Sequence, residues 1–522
     1  MLSRTDFGRR HFLKTSALLP AASLAIRSTS ARAAVTGSVV ETRDGKVEGQ
    51  TLNGIHVFRG IPYGADTAGR NRFMPPKRPA PWSGVRAATA WGHVAPQKVG
   101  SPTEYSQMVQ WLNQPGGQSE DCLVLNVWTP GLRSGKRPVL FSIHGGGFTT
   151  GTSSNPVFDG SPLAHAGDVV VVTINHRLGV LGYLQLGDVD AEFSQSGVAG
   201  MLDCVAALEW VRDNISNFGG DPGNVMIFGQ SGGGSKVCHL MAMPSAKGLF
   251  HKAAMQSGVA LKTGSRETAA AAAGAVMKQL GIGKADVRRM QDLPLEKLIA
   301  AQPRQIGPVL DGVAIPRNPF DPDAPAVSAA VPIILGTCLH DSALNITNFA
   351  LTEAEMKVQA RNTFGASAEK VDNIVADYRA VDPHSSPCLL LARITTDRGL
   401  RRNAITVAER KQAQMAAPAW MYRLDWPSVP YEGKFGAVHG TDVPLTFDNV
   451  DAWPITGKGP QARAMAQRMS AAWIAFATTG NPNARGLPQW PAYTPAQRDT
   501  MVFDNNTRVV SNPDGELLAL LG

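Results

Sequence analysis

Ser231 stands at the centre of Gly229-Gln230-Ser231-Gly232-Gly233. A short apolar run, Asn224-Val225-Met226-Ile227-Phe228, precedes it, and Val237, Leu240 and Met241 follow at helical spacing. A Gly-x-Ser-x-Gly at a strand-to-helix turn is the pattern of a nucleophile elbow, whose strained backbone presents the serine hydroxyl while the glycines let strand and helix pack closely. The chemistry open to such a serine is attack on an acyl carbon. In a chain with 53 glycines the five residues could equally form a glycine-rich loop, so a second element has to agree. That element is His144-Gly145-Gly146-Gly147-Phe148, which follows the apolar run 138–143. Consecutive glycines bring backbone N–H groups to a substrate without side-chain obstruction. Such preorganised donors stabilise the oxyanion of acyl transfer by several kcal/mol. The donors are assigned to Gly146, Gly147 and Gly232, the last being the residue after the nucleophile.

A serine needs a base, and the base needs an orienting carboxylate. With a nucleophile elbow the chain order is serine, acid, histidine. His251, His340, His384 and His439 follow Ser231. His251 precedes any suitable acid, and His340 abuts the best acid candidate. His384 lies in the hydrophilic turn Asp382-Pro383-His384-Ser385-Ser386-Pro387, where solvation is expected. His439 sits in Gly436-Ala437-Val438-His439-Gly440-Thr441-Asp442, a small-residue loop able to fold over a serine, and is the preferred base. Two aspartates compete as the acid. Asp341 follows the strand-like run 331–337 and is favoured. Asp311, before Gly312, reads better as a turn residue but stays open on pattern alone.

These groups span residues 146 to 439, so one catalytic unit must occupy most of the chain. Nothing along it reads as an interdomain linker. A helix carrying Leu202, Val205, Leu208, Val211 and Ile215 fits between a strand at 169–174 and the elbow strand, and strands alternating with helices argue for parallel crossovers. The alanine-rich run 269–275 is helix-forming, and the charged residues over 284–297 are expected on a solvated helical face.

The chain resembles the type-B carboxylesterases, the group that includes bacterial para-nitrobenzyl esterases, fungal lipases and cholinesterases. The resemblance covers about residues 36–510 and rests on segments in the family's order. Before the elbow come Phe58-Arg59-Gly60-Ile61-Pro62-Tyr63, Arg72-Phe73-Met74-Pro75-Pro76, Glu120-Asp121-Cys122-Leu123, Asn175-His176-Arg177-Leu178-Gly179 and the run 214–222. After it come Met255-Gln256-Ser257-Gly258, the run 436–444 and Thr479-Gly480-Asn481-Pro482. It implies an α/β-hydrolase fold: a large, mostly parallel central sheet flanked by helices, a single catalytic domain with insertions over residues 34–522, and a gorge leading to the serine. It matches Ser231 to the nucleophile, His439 to the base and Asp341 to the acid position, where most members carry glutamate. Gln230 stands where many members have glutamate, which removes one negative charge. Ser257 matches a supporting position beneath the acid. The family's disulfide from Cys122 is missing its partner, because Ala95 precedes Pro96-Gln97.

Five cysteines, with no paired spacing of the kind that binds zinc or haem, agree with a bridge-poor protein; Cys204 and Cys238 fall on apolar helical faces and read as buried thiols. Arg9-Arg10-His11-Phe12-Leu13-Lys14 resembles a twin-arginine export signal. A modest apolar stretch and Ala31-Arg32-Ala33 follow, so residues 1–33 are expected to be removed on export to the periplasm or beyond, with the export machinery as partner. The apolar stretch is too short for a membrane anchor. Those 33 residues carry six Lys/Arg and one Asp. Without them 44 basic and 41 acidic groups remain, and the net charge falls from +8 to about +3. The basicity is therefore mostly the export signal, and it gives no reason to expect nucleic acid as a partner.

The expected reaction is ester hydrolysis through an acyl-enzyme, with no metal or cofactor required. Activity should rise through a histidine pKa, ordinarily ~6.5. The same triad would serve a lipase, an amidase or a carbamate hydrolase, since pocket shape and leaving group decide. A non-catalytic binding relative would be expected to lack the nucleophile, which is present here. Phe148, Trp111 and Phe349 are candidates for an apolar or aromatic gorge, which suggests small to medium apolar or aromatic esters.

Overall fold

A computed structural model describes residues 37–132 and 135–521 of the chain; the proposed export signal lies outside the described residues. Its strands are β1 (Gly37–Thr42), β2 (Gly45–Leu52), β3 (Ile55–Pro62), β4 (Val85–Ala87), β5 (Val124–Thr129), β6 (Arg137–Ile143), β7 (Val170–Ile174), β8 (Gly220–Gln230), β9 (Lys252–Gln256), β10 (Ile333–Cys338), β11 (Ala419–Leu424), β12 (Asp499–Phe503) and β13 (Arg508–Ser511). They form one 13-stranded sheet in the order β1-β2-β3-β5-β7-β6-β8-β9-β10-β11-β12-β13, with β4 beside β2. From β7 through β12 all neighbours are parallel, and the antiparallel pairings are confined to the two ends.

A parallel sheet must be covered on both faces, and the sequence of β8 shows it. Val225 and Ile227 enter one apolar cluster, while Met226 and Phe228 enter the other. Continuous apolar runs, rather than alternation with polar residues, are what two buried faces demand. Helix α1 (Ala199–Asn214) and helix α2 (Gly232–Ala242) cover the first face with Leu208, Val211, Val237 and Leu240. Helix α3 (Pro460–Thr479) covers the second with Met465, Met469, Trp473 and Phe476. The periodicity suggested an amphipathic α1. The structure keeps that character: Glu209, Arg212 and Asp213 are exposed and Leu202 and Ala206 half-buried along one stripe, while the other faces, including Met201, Asp203 and Trp210, are buried.

The alanine run lies inside a helix, Arg266–Gln279. The charged stretch behind it is a 3-10 helix, Lys284–Asp292, with Val287 and Met290 buried and its lysine and arginines exposed. Cys204 and Cys238 are buried on α1 and α2. Cys122 and Ala95 share one apolar cluster, so packing occupies the place of the family's bridge. No helix among the described residues is long and apolar enough to cross a membrane.

Candidate active site

Register explains why distant segments meet. Ile143 at the end of β6 pairs with Gly229 near the end of β8, Gln230 with Gln256 of β9, and Gln256 with Gly336 of β10. The loops leaving β6, β8, β9, β10 and β11 therefore emerge side by side at the carboxyl edge of the parallel strands, where α/β sheets carry their sites.

Ser231 takes φ 58° and ψ −124°, a conformation rare for any residue with a side chain, between β8 and α2. Its backbone N–H donates to Gln256 O at 2.8 Å, and its carbonyl accepts from Ser235 N. Glycine is obligatory around it. A Cβ on Gly233 would lie 2.1 Å from Ile143 O, and one on Gly258 would lie 1.9 Å from Ser231 O. Gly145 packs against Gln230 and Ser231, and a Cβ on Gly232 would strike Gly147. The three glycines of the loop after β6 therefore lie directly on the elbow. Gly146 and Gly147 both take positive φ, 90° and 61°, and neither N–H donates to a protein acceptor among the described residues. Gly232 heads α2, where the first N–H groups have no intrahelical acceptor. Gly145 O accepts from His144 Nδ1, and Gly146 O accepts from the N–H and hydroxyl of Thr150. Both peptides that carry the loop donors are thus polarised from behind.

Across the edge, His439 Nδ1 lies 2.8 Å from Asp341 Oδ1. A carboxylate oxygen accepts, so Nδ1 holds the hydrogen and Nε2 keeps its lone pair. Asp341 is fully buried, and its other oxygen accepts the Cys338 N–H at 2.9 Å. The structure brings Ser231, the glycine loop, Asp341 and His439 to one edge. It leaves the rival candidates elsewhere. Asp311 closes a turn by accepting the N–H groups of Val313, Ala314 and Ile315. His384 is exposed, and His251 accepts the Val225 N–H midway along β8, away from the elbow. Gln230 lies between the glycine loop and Gly440, with its amide nitrogen buried and unpartnered among the described residues. Ser257 donates its N–H to Gly336 O and sits beside Cys338, so it reaches Asp341 through that residue. Trp111 stands over Gly146. Phe148 packs edge-on against Tyr183 and His239, and Phe349 packs against Phe435.

Several groups on the histidine side escaped the sequence reading. Tyr105 donates its hydroxyl to His439 O at 3.0 Å. His340, set aside as a base, exchanges backbone pairing with Val438, and its Nδ1 accepts the Ala437 N–H. Asp442 is fully buried; it accepts from Tyr422 Oη at 2.8 Å and from Gln256 Nε2 at 3.2 Å. Burial, then the nearby Asp341, raises the Asp442 carboxyl to about 6. Gln256 thereby links the elbow, through its carbonyl, to the His439 segment, through its amide. His340, Gln256 and Asp442 lay within segments that stood out in sequence, though not in these roles; Tyr105 did not.

Beside the glycine loop a cavity of about 380 Å³ opens along α2, lined by Phe148, Tyr183, Ser235, Ala260, Ile306 and Pro308. Among the described residues no group of side chains could hold a metal ion.

A sequence model of the carboxylesterase family matches residues 36–518. The para-nitrobenzyl esterase of Bacillus subtilis (strain 168) is 36% identical over 498 residues, which cover 92% of this chain and 98% of that protein. The phenmedipham hydrolase of Pseudarthrobacter oxydans is 32% identical over 491 residues, 88% of this chain and 93% of the relative. Among solved structures, the Geobacillus stearothermophilus carboxylesterase EST55 at pH 6.2 superposes with a TM-score of 0.80 at 36% identity, covering 93% of this chain and all of that one.

Proposed function

The chain belongs to the carboxylesterase family, and from that premise we propose that it hydrolyses esters with Ser231 as nucleophile, His439 as general base and Asp341 as the acid that orients the imidazole. The single observation that carries the roles is the His439 Nδ1 to Asp341 Oδ1 contact at the same sheet edge as the strained Ser231. It fixes the tautomer that leaves Nε2 free to take a proton. His439 removes the Ser231 proton as the hydroxyl attacks the ester carbonyl. The oxyanion forms against the N–H groups of Gly146, Gly147 and Gly232. The tetrahedral intermediate collapses as His439 protonates the departing alcohol, and a water activated by the same imidazole releases the acid.

The apolar cavity beside Phe148 supports small to medium apolar or aromatic esters as substrates. The test is hydrolysis of para-nitrophenyl esters from acetate to palmitate by the wild type beside Ser231→Ala. We expect short and medium chains to be cleaved and the variant to lose at least ~10⁴-fold. Equal rates for the two proteins would remove Ser231 from the mechanism. Residues 1–33 are proposed as a twin-arginine signal delivering the enzyme to the periplasm or medium, on sequence alone. Arg9→Lys with Arg10→Lys should hold the full-length precursor in the cytoplasm; unchanged export would sink that proposal.

A further inference from the structure

Lys236 lies on α2, five residues after Ser231, and is completely buried. A buried ammonium normally has a carboxylate partner, because an isolated charge is costly to desolvate. Lys236 has none among the described residues. Its Nζ donates instead to two backbone carbonyls, Gly147 O at 2.7 Å and His144 O at 3.3 Å, and lies 5.1 Å from the centre of the Phe148 ring. All three contacts are with the glycine loop, and Gly147 is one of the residues whose N–H is assigned to the oxyanion. The cation therefore lies directly against a residue that carries one of the assigned donors.

We propose that Lys236 is a positioning residue for ester hydrolysis that pins the glycine loop to α2 and supplies a buried positive charge behind the oxyanion hole, the missing counter-charge being the oxyanion itself. The inference rests on the proposed role of the Gly146 and Gly147 donors. In the resting enzyme the ammonium is met only by dipoles. When the carbonyl oxygen becomes negative the pair is completed, so the interaction strengthens in the transition state and acts on kcat more than on KM.

The groups facing Lys236 leave it as the local cation. His144 and His176, stacked at 4.7 Å after β6 and β7, and His239 on α2 all have lowered pKa values, first through burial and then partly through Lys236 itself. His144 falls to about 3 and His239 to about 4, so both are neutral at working pH. Cys204, on α1, is raised by burial to about 12 and stays a thiol. Burial lowers Lys236 to about 7. Its charge, and its help to the oxyanion, should fade as pH rises above that value.

The experiment compares the full chain with Lys236→Met and Lys236→Arg on a para-nitrophenyl ester from pH 6 to 10, with circular dichroism and thermal melting as controls. We expect a folded Lys236→Met with kcat lowered about 10- to 100-fold and KM changed less than about threefold, less than the loss of a direct oxyanion donor. A phenylboronic acid inhibitor should weaken in parallel with kcat. The wild type should show a fall in kcat above about pH 7 that is absent from Lys236→Met and displaced beyond pH 10 in Lys236→Arg. An unchanged kcat, a persisting alkaline fall in the Met variant, or a loss of kcat without weaker boronate binding would overturn the proposal. Should Lys236→Met fail to fold, the wild-type profile with boronate affinity across pH decides: flat affinity above pH 7 overturns it. A wild type inactive on every ester would overturn the functional reading, and this inference with it.

Discussion

The two halves of the site are held together by different means. On the nucleophile side, the loop after β6 and the elbow after β8 are fixed by backbone against backbone, at distances that admit no Cβ at Gly232, Gly233 or Gly258. On the base side, the segments after β10 and β11 are fixed by side-chain hydrogen bonds, from His340 and Asp442 within those segments and from Tyr105, Gln256 and Tyr422 outside them. The first arrangement is rigid and intolerant, since a close backbone approach has no slack. The second spreads the load, so that single changes should be partly absorbed by the remaining contacts. What the contrast teaches is that tolerance to substitution should differ sharply across a few ångströms.

The largest effect tests where the two halves meet. Asp341→Asn keeps the shape of the acid but gives its oxygen position over to an amide, which can hold His439 in the wrong tautomer; kcat should fall ~10³- to 10⁴-fold. Asp311→Asn, at a turn removed from this edge, should stay within about twofold. Near-equal losses in steady-state kinetics would break the assignment of the acid. Next comes the rigid side. Gly233→Ala places a Cβ 2.1 Å from Ile143 O and should cost ~100-fold in kcat/KM, together with a lower melting temperature. Gly147→Ala meets nothing within 4 Å and has only its positive φ of 61° to contend with, a strain of about 1–2 kcal/mol. If the two variants behaved alike, close packing would not be what holds the elbow.

The same contrast accounts for what could be read in the sequence. Backbone-held structure leaves marks that are local: Gly-x-Ser-x-Gly, His-Gly-Gly-Gly and the continuous apolar runs of β6 and β8 are each contiguous. Their meaning follows from glycine's lack of a side chain and from burial on two faces. The pairing of His439 with Asp341 needed chain order and the family resemblance, because nothing local says that residues 98 apart will touch. Tyr105, lying 334 positions from its partner His439, carried no signal at all. Lys236 carried no signal either, since a lysine in sequence gives no hint that the fold will bury it. The burial of Asp203 on α1 was likewise hidden, because an aspartate looks like a surface residue until Arg177 encloses and pairs with it.

Asp442 sharpens the comparison on the base side. Its carboxyl is raised to about 6 from 3.8, so the folded state holds its proton more tightly than the unfolded chain. The stability this gives is full below about pH 4 and is lost as pH rises through 6, an amount on the order of 3 kcal/mol. Above pH 6 the charged carboxylate would favour the imidazolium that the proposed mechanism forms on His439. Asp442→Asn should therefore flatten the loss of melting temperature between pH 4 and 6. It should also lower kcat above pH 6 by about tenfold, because Tyr422 and Gln256 can still bond to an amide oxygen. An unchanged pH dependence of melting would mean that another group titrates there.

The smallest effect is expected where the load is most widely shared. Tyr105→Phe removes one hydroxyl and leaves His439 O without that donor, a net loss of about 1 kcal/mol for a neutral hydrogen bond, equivalent to about fivefold in kcat. The imidazole itself stays held by Asp341, and its loop by the His340 contacts with Ala437 and Val438 and by the buried carboxylate of Asp442. The change should fall on kcat with little movement in KM, because the tyrosine bonds the backbone of the base and not the substrate. A loss nearer to a thousandfold would show that the base hangs on a single long-range contact. The two halves of the site would then be equally intolerant, one through its glycines and the other through one tyrosine.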